Sequence, residues 1–183
     1  MTSTTDTPRP QPTTLLNARS QPFAGRFITG TDWFEQYYHG ENVALLASGA
    51  EAASILPELL HTAERVTLFE EQPTWVTPVS VPLPIIQHIA SRLYLHLAVA
   101  DDWTRRNLTP HRRFGSRHVQ VSPSYYAALQ DPRTRLVHWP TYAIVEKGVR
   151  GVDGVEYRFD TIVIGSTSKY AATTSTHASK DPA

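Results

Sequence analysis

The stretch from Val43 to Leu60, VALLASGAEAASILPELL, constrains the fold more than any other part of the chain. Asn42-Val43-Ala44-Leu45-Leu46 is a continuous apolar run, which suits a parallel strand buried on both faces. A turn of small residues follows, Ala47-Ser48-Gly49-Ala50-Glu51-Ala52, and opens a helix that extends from Gly49 to about His61. Pro57 lies inside that helix, where it removes an N–H and predicts a kink or a lost hydrogen bond. Arg65-Val66-Thr67-Leu68-Phe69 reads as a second strand. Strand, helix and strand fit within about 30 residues, the length of a βαβ unit.

The rest of the chain extends this pattern. Pro73, Pro78, Pro82 and Pro84 mark an irregular connection, and Ile85 to about Arg106 reads as one long helix with an apolar face. Ser122-Pro123 predicts another helix start, with Ser122 as N-cap and Pro123 in the first turn. Arg135-Leu136-Val137-His138-Trp139 and Thr161-Ile162-Val163-Ile164 read as further buried strands. Ala143–Glu146 and Val155–Phe159 flank the turn dipeptide Asp153-Gly154, a hairpin signal. The expected class is α/β: a Rossmann-like three-layer domain with a mainly parallel sheet and a small antiparallel hairpin. Residues 21–168 form that domain, and the Thr-, Ser- and Pro-rich stretches 1–20 and 169–183 read as disordered tails.

Composition excludes several classes. The chain has 17 basic and 17 acidic residues, so no clustered basic charge marks a nucleic-acid or acidic-membrane partner. Cysteine is absent, which removes disulfides, thiolate nucleophiles and thiolate-bound metals and fits a cytoplasmic location. The N-terminus has no apolar segment of the signal-peptide kind, and the apolar-leaning stretch 85–100 is broken by His88, Ser91, Arg92 and His96, so no membrane span is expected. Eight histidines are scattered, with only His88 and His96 two helical turns apart, so no metal is expected.

The turn carries the chemistry. A dinucleotide-binding turn reads G-x-G-x-x-G or G-x-G-x-x-A; here Gly49 and Ala52 match the second and third positions, and Ala47 replaces the first glycine, a position expected to lose conformational freedom. Small residues there let the backbone approach a pyrophosphate and the helix pack on its strand, while the helix N-terminus faces the anion. An acid about 20 residues further on would hold the ribose. Glu70 and Glu71, followed by Gln72, stand at that distance, although a solvated acidic strand end explains both equally well.

Four blocks carry a more specific resemblance. Phe23-Ala24-Gly25-Arg26-Phe27-Ile28-Thr29-Gly30-Thr31-Asp32-Trp33 resembles the F-x-G-x-x-x-H-x-x-x-W fingerprint of Baeyer–Villiger and related class B flavoprotein monooxygenases. Val66-Thr67-Leu68-Phe69-Glu70-Glu71-Gln72-Pro73-Thr74-Trp75 is similar to that family's V-T-V-F-Q-R-T-P-x-W, and Pro57-Glu58-Leu59 before it also matches. Leu108-Thr109-Pro110, Phe114–His118 and Ser122–Leu129 with Tyr125-Tyr126 resemble L-T-P … G-C-K-R-P … S-D-D-Y-Y-x-A-L. Asp160–Thr167 resembles D-x-I-V-x-A-T-G. The blocks fall in the family order over residues 23–168.

In the family, NADPH reduces FAD, which then reacts with oxygen to oxygenate ketones, amines or sulfides. The resemblance implies the pyridine-nucleotide domain alone, without the FAD region, and inactive by itself; FAD would come only through a separate FAD-binding partner protein. Ala47, Ser48, Gly49, Ala50, Glu51, Ala52, Glu70, Glu71, Gln72 and Arg117 are the implied cofactor-binding residues. Four of the family's functional positions differ: Ala47 for glycine, Thr29 for histidine, Glu71 for arginine and Thr167 for glycine. Glu71 would repel the 2′-phosphate and favour NADH over NADPH, with Arg117 and His118 as compensating charge. Arg105-Arg106 and Arg112-Arg113 fit either phosphate contact or a solvated face. The rival expectation is a pseudoenzyme: a non-catalytic nucleotide-binding or protein-interaction module.

Overall fold

The computed structural model describes residues 23–166 except Ser48, Glu71, residues 111–118 and residues 139–140. Five strands form a wholly parallel sheet in the order β1 (Arg26–Thr29), β10 (Thr161–Ile164), β2 (Asn42–Leu46), β3 (Arg65–Phe69) and β6 (Thr134–Val137). Strands β2, β3 and β10 are buried along almost their whole length because both faces are covered, with Asn42 and Arg65 left at the open ends.

Helices cover one face. Helix α1 (Ala50–Leu59) buries Ala52, Ala53, Ile55, Leu56 and Leu59, the helical spacing expected of a core-facing stripe, against Val43, Leu45, Val66 and Leu68. An antiparallel meander covers the other face: β7 (Thr141–Val145), β8 (Gly148–Gly151) and β9 (Glu156–Arg158). It packs Ile144 and Val149 against Ala44, Leu46, Phe69, Val137, Ile162 and Ile164. The α/β class, the mainly parallel sheet and the three layers are as the sequence implies.

Several local expectations are corrected. The hairpin is three strands, because Glu146-Lys147 turns β7 into β8 before Asp153-Gly154 turns β8 into β9. The stretch around Pro73 and Pro78 contains a strand, β4 (Trp75–Thr77), paired in parallel with β5 (Val119–Val121) in a separate two-stranded sheet. The long helix is two: α2 (Pro84–Ala98) ends where Val99 turns extended, and Asp101 caps α3 (Asp102–Asn107), its carboxylate accepting the Thr104 N–H at 2.7 Å. Ser122 does not cap a helix; α4 (Tyr125–Gln130) begins later, after Ser124.

Helix α1 runs through Pro57 without interruption. Pro57 has no N–H for the Ala53 carbonyl, and the Ser122 hydroxyl donates to that carbonyl instead, at 2.8 Å in a buried position. The hydrogen bond expected to be lost is supplied from another element.

Candidate functional site

The carboxyl ends of β1, β10 and β2 lie side by side, since Thr29 pairs with Ile164 and Ile164 with Leu46. The chain leaves β2 toward β3 and β6, whereas β10 lies on the opposite side of β2. The crevice between the ends of β2 and β10 is therefore a topological switch point, the place where open α/β sheets bind ligands. The 47–52 turn and Gly165-Ser166 face each other across it.

Gly49 is the residue that requires glycine. It adopts φ 61° and ψ −126°, a conformation closed to side chains. Ala47 is buried and has no positive φ, so the expected strain at the substituted first position is absent. Ala52 is fully buried and lets α1 approach the sheet. The first helical bond runs from the Ala53 N–H to the Gly49 carbonyl. The helix thus starts at Ala50, with its N-terminal end directed into the crevice, the end of a helix that favours anions.

Two carboxylates converge on this place. Glu70 is only 2% exposed, so it is not a solvated strand end. Its Oε1 accepts the Gly49 N–H at 3.3 Å and the Gln72 N–H at 3.2 Å, and its Oε2 accepts the Tyr125 hydroxyl at 3.3 Å. Burial, and then the charge of Glu70, pushes the Tyr125 phenol well above its ordinary value, so Tyr125 remains a donor. Glu51 reaches across the crevice, where its Oε1 accepts the Ser166 N–H at 2.5 Å and the Ser166 hydroxyl at 2.6 Å. A Cβ at Gly165 would come within 2.3 Å of the Glu51 carboxylate.

The structure thus brings together Ala47, Gly49, Ala50, Glu51, Ala52, Glu70 and Gln72. Ser48, Glu71 and Arg117 lie outside the described residues, as do Arg112, Arg113, His118 and Thr167. The sequence pattern did not reveal the role of Ser166 or Tyr125; an acid in the first turn of α1 and a tyrosine pair were the available signals. The fingerprint glycine acts elsewhere: a Cβ on Gly25 would lie 2.3 Å from the Asp160 carbonyl, so Gly25 sets how the chain enters β1 beside β10. Arg105 is not held for a ligand, since it bonds Asp102 and lies 3.0 Å from His96 Nδ1. Among the described residues no group of three His, Cys, Asp or Glu could hold a metal ion, and no helix is long and apolar enough to cross a membrane.

The backbone at Gly49 and the start of α1 are the elements that would face the pyrophosphate of a dinucleotide. The Gly49 N–H is already directed at Glu70.

No protein-family model matches the chain. It is 25% identical over 186 residues to a Baeyer–Villiger monooxygenase of Streptomyces coelicolor, with 79% of this chain and 36% of the relative covered. It is 25% identical over 201 residues to the FAD-binding monooxygenase ktnD of Aspergillus niger, with 82% and 33% covered. The chain therefore spans about a third of the length of these relatives. Among solved structures, cyclohexanone monooxygenase in an open form superposes with a TM-score of 0.66 at 16% identity, over 82% of this chain and 45% of that one. An oxidized steroid monooxygenase bound to NADP gives 0.66 at 15% identity, over 78% and 42%. These structures share the fold.

Proposed function

The chain is a homologue of the Baeyer–Villiger monooxygenases over about four fifths of its length, and from that premise we propose that it provides the nicotinamide-nucleotide-binding part of a flavin-dependent monooxygenase. The observation that carries this reading is the Gly49 turn, set at the switch point between β2 and β10 with an anion-receiving helix behind it. NADPH or NADH bound there supplies a hydride. This chain's residues bind and orient it: the first turn of α1 takes the pyrophosphate, Ala52 keeps the helix close to the sheet, and the loop after β3, with Gln72, faces the ribose. Arg117 adds positive charge.

FAD would belong to the flavin-binding part of such an enzyme, which has to dock against this domain. Helix α2 supports a partner of this kind. Ile86, Ile89, Leu93 and Leu97 form an exposed apolar stripe along it, with Leu97 74% exposed, a surface of the kind that receives another protein surface. Without the flavin part the domain does not oxygenate, because the cofactor carries that chemistry.

A second reading, a non-catalytic module, is favoured by one observation: the Glu70 carboxylate takes the Gly49 N–H and brings negative charge to the phosphate position. Calorimetric titration with NADPH and NADH separates the two. A Kd below about 1 mM for either nucleotide supports the first reading. No heat and no protection of the turn with either nucleotide supports the second.

A further inference from the structure

We propose that the chain carries a second anion site, at the opposite edge of the sheet from the glycine turn, which binds a small phosphate-bearing molecule. A cavity of about 520 Å³ opens where β3 and β6 begin and where β9 ends. That volume lies within the range of small-ligand sites. Its walls include four arginines, Arg65, Arg133, Arg135 and Arg158, with the rings of Tyr157 and Phe159.

The charge in this cavity is poorly compensated. Arg133 is committed: it bonds Asp131 at 2.8 Å and donates to the Leu60 carbonyl at 2.9 Å. Glu156, the carboxylate on the wall, is engaged by Arg150. Arg65, Arg135 and Arg158 have no carboxylate partner among the described residues. Three guanidinium groups thus share one concavity, although the chain as a whole has no net charge. Like charges held together cost free energy, so a cluster of this kind is stabilised when an anion neutralises it.

The fold sets the arrangement. Arg65 and Thr67 alternate onto the same face of β3, and Thr67 pairs with Arg135 on β6, about 5 Å away across the ladder. This is the face that the meander covers further along, where Phe69 meets Tyr157 edge to face at 5.7 Å. Arg135 lies over the Tyr157 ring at 5.0 Å, which orients its guanidinium and leaves its N–H edge for an acceptor. Arg158 arrives from β9: the Asp160 N–H donates to the Asn42 carbonyl at 3.0 Å, and Asn42 is the β2 partner of Arg65. Three strands distant in sequence therefore deliver three planar donor forks to one place. Such forks match phosphate oxygens in pairs. A long polyanion such as nucleic acid fits less well, because the positive charge is confined to one concavity.

The test uses the 183-residue chain with inorganic pyrophosphate as probe, in calorimetry and amide-shift mapping. Saturable binding is expected, with shifts at Arg65, Arg135, Tyr157 and Arg158 whether or not Gly49–Ala52 also shift, and with affinity falling as salt rises. Arg65→Gln with Arg158→Gln should weaken binding by about tenfold or more while the circular dichroism spectrum is unchanged, since both side chains are exposed. Absence of saturable binding, equal affinity in the double variant, or shifts confined to the glycine turn overturns the proposal. So does binding of single-stranded DNA in preference to pyrophosphate. The nucleotide titration described above concerns the opposite edge, and the two readings stand or fall separately.

Discussion

Ser122 and Pro57 are complementary: the Ser122 hydroxyl donates to the Ala53 carbonyl at 2.8 Å, the acceptor that Pro57, four residues on, has no N–H to serve. Ser122→Ala leaves that carbonyl buried and unpaired and should lower stability by about 1–2 kcal/mol. In a Pro57→Ala background the helix supplies its own donor, and the cost of Ser122→Ala should fall to less than half. A double-mutant cycle by urea denaturation measures this coupling; equal costs in both backgrounds would refute the pairing.

The turn distinguishes its two small residues. Gly49→Ala places a side chain at φ 61° and should destabilise by about 1–3 kcal/mol. Ala47→Gly relieves nothing, since Ala47 has no positive φ, and should itself cost about 0.5–1 kcal/mol through added freedom of the unfolded chain. Thermal unfolding of the two variants gives the comparison. A gain in stability from Ala47→Gly would mean that the missing first glycine does strain the turn.

Glu70→Gln preserves an acceptor for the Gly49 and Gln72 N–H groups and removes the charge. Nucleotide affinity at the turn should rise several-fold, for NADH and NADPH alike, because the pyrophosphate is common to both. An unchanged affinity for both would show that the carboxylate does not compete with the nucleotide.

His138 links stability to pH. Burial lowers its pKa from the ordinary 6.5, and its ring packs against Trp103 at 5.1 Å. The folded state therefore binds the proton less readily than the unfolded one. The contribution of His138 is complete above pH 6.5 and is lost as pH falls from there toward the lower folded value. Chemical denaturation between about pH 7 and pH 5 should show a smaller decline in His138→Gln than in the parent.

Helix α2 has two faces with opposite tolerance. Leu95 is 3% exposed, and Leu95→Ala should cost about 2–5 kcal/mol. Leu93→Gln and Leu97→Gln on the open stripe should change stability by less than about 0.5 kcal/mol. If the stripe receives a flavin-binding partner, the same two changes should weaken that association without loss of fold.

The order of the elements was legible because strands buried on both faces announce themselves as apolar runs and because Gly49 punctuates the first βα turn. The candidate site was legible as a turn, an acid about 20 residues on and a helix start. What escaped depends on contacts between distant residues. Nothing local in Ser122-Pro123 distinguishes a helix cap from a donor to another helix. Trp75–Thr77 is short and lies among prolines, and only its partner Val119–Val121 makes it a strand. The division of the long helix at Asp101 was signalled by Asp101-Asp102, but the apolar periodicity on either side masked it. Glu70 reads as solvent-facing in any sequence pattern, and only the fold shows Gly49 and Tyr125 enclosing it.

The sheet order has a consequence for how the chain is made. Among the described strands β1 pairs only with β10, and Arg26 and Thr161 are 135 residues apart. On a ribosome, β2 can find β3 soon after both emerge, while β1 waits on the order of ten seconds for its one neighbour. Until then its backbone is an open edge, available to any other extended chain. The charged and polar residues at its two ends, Arg26 and Thr29, with Asp32 just beyond, discourage that pairing during the wait.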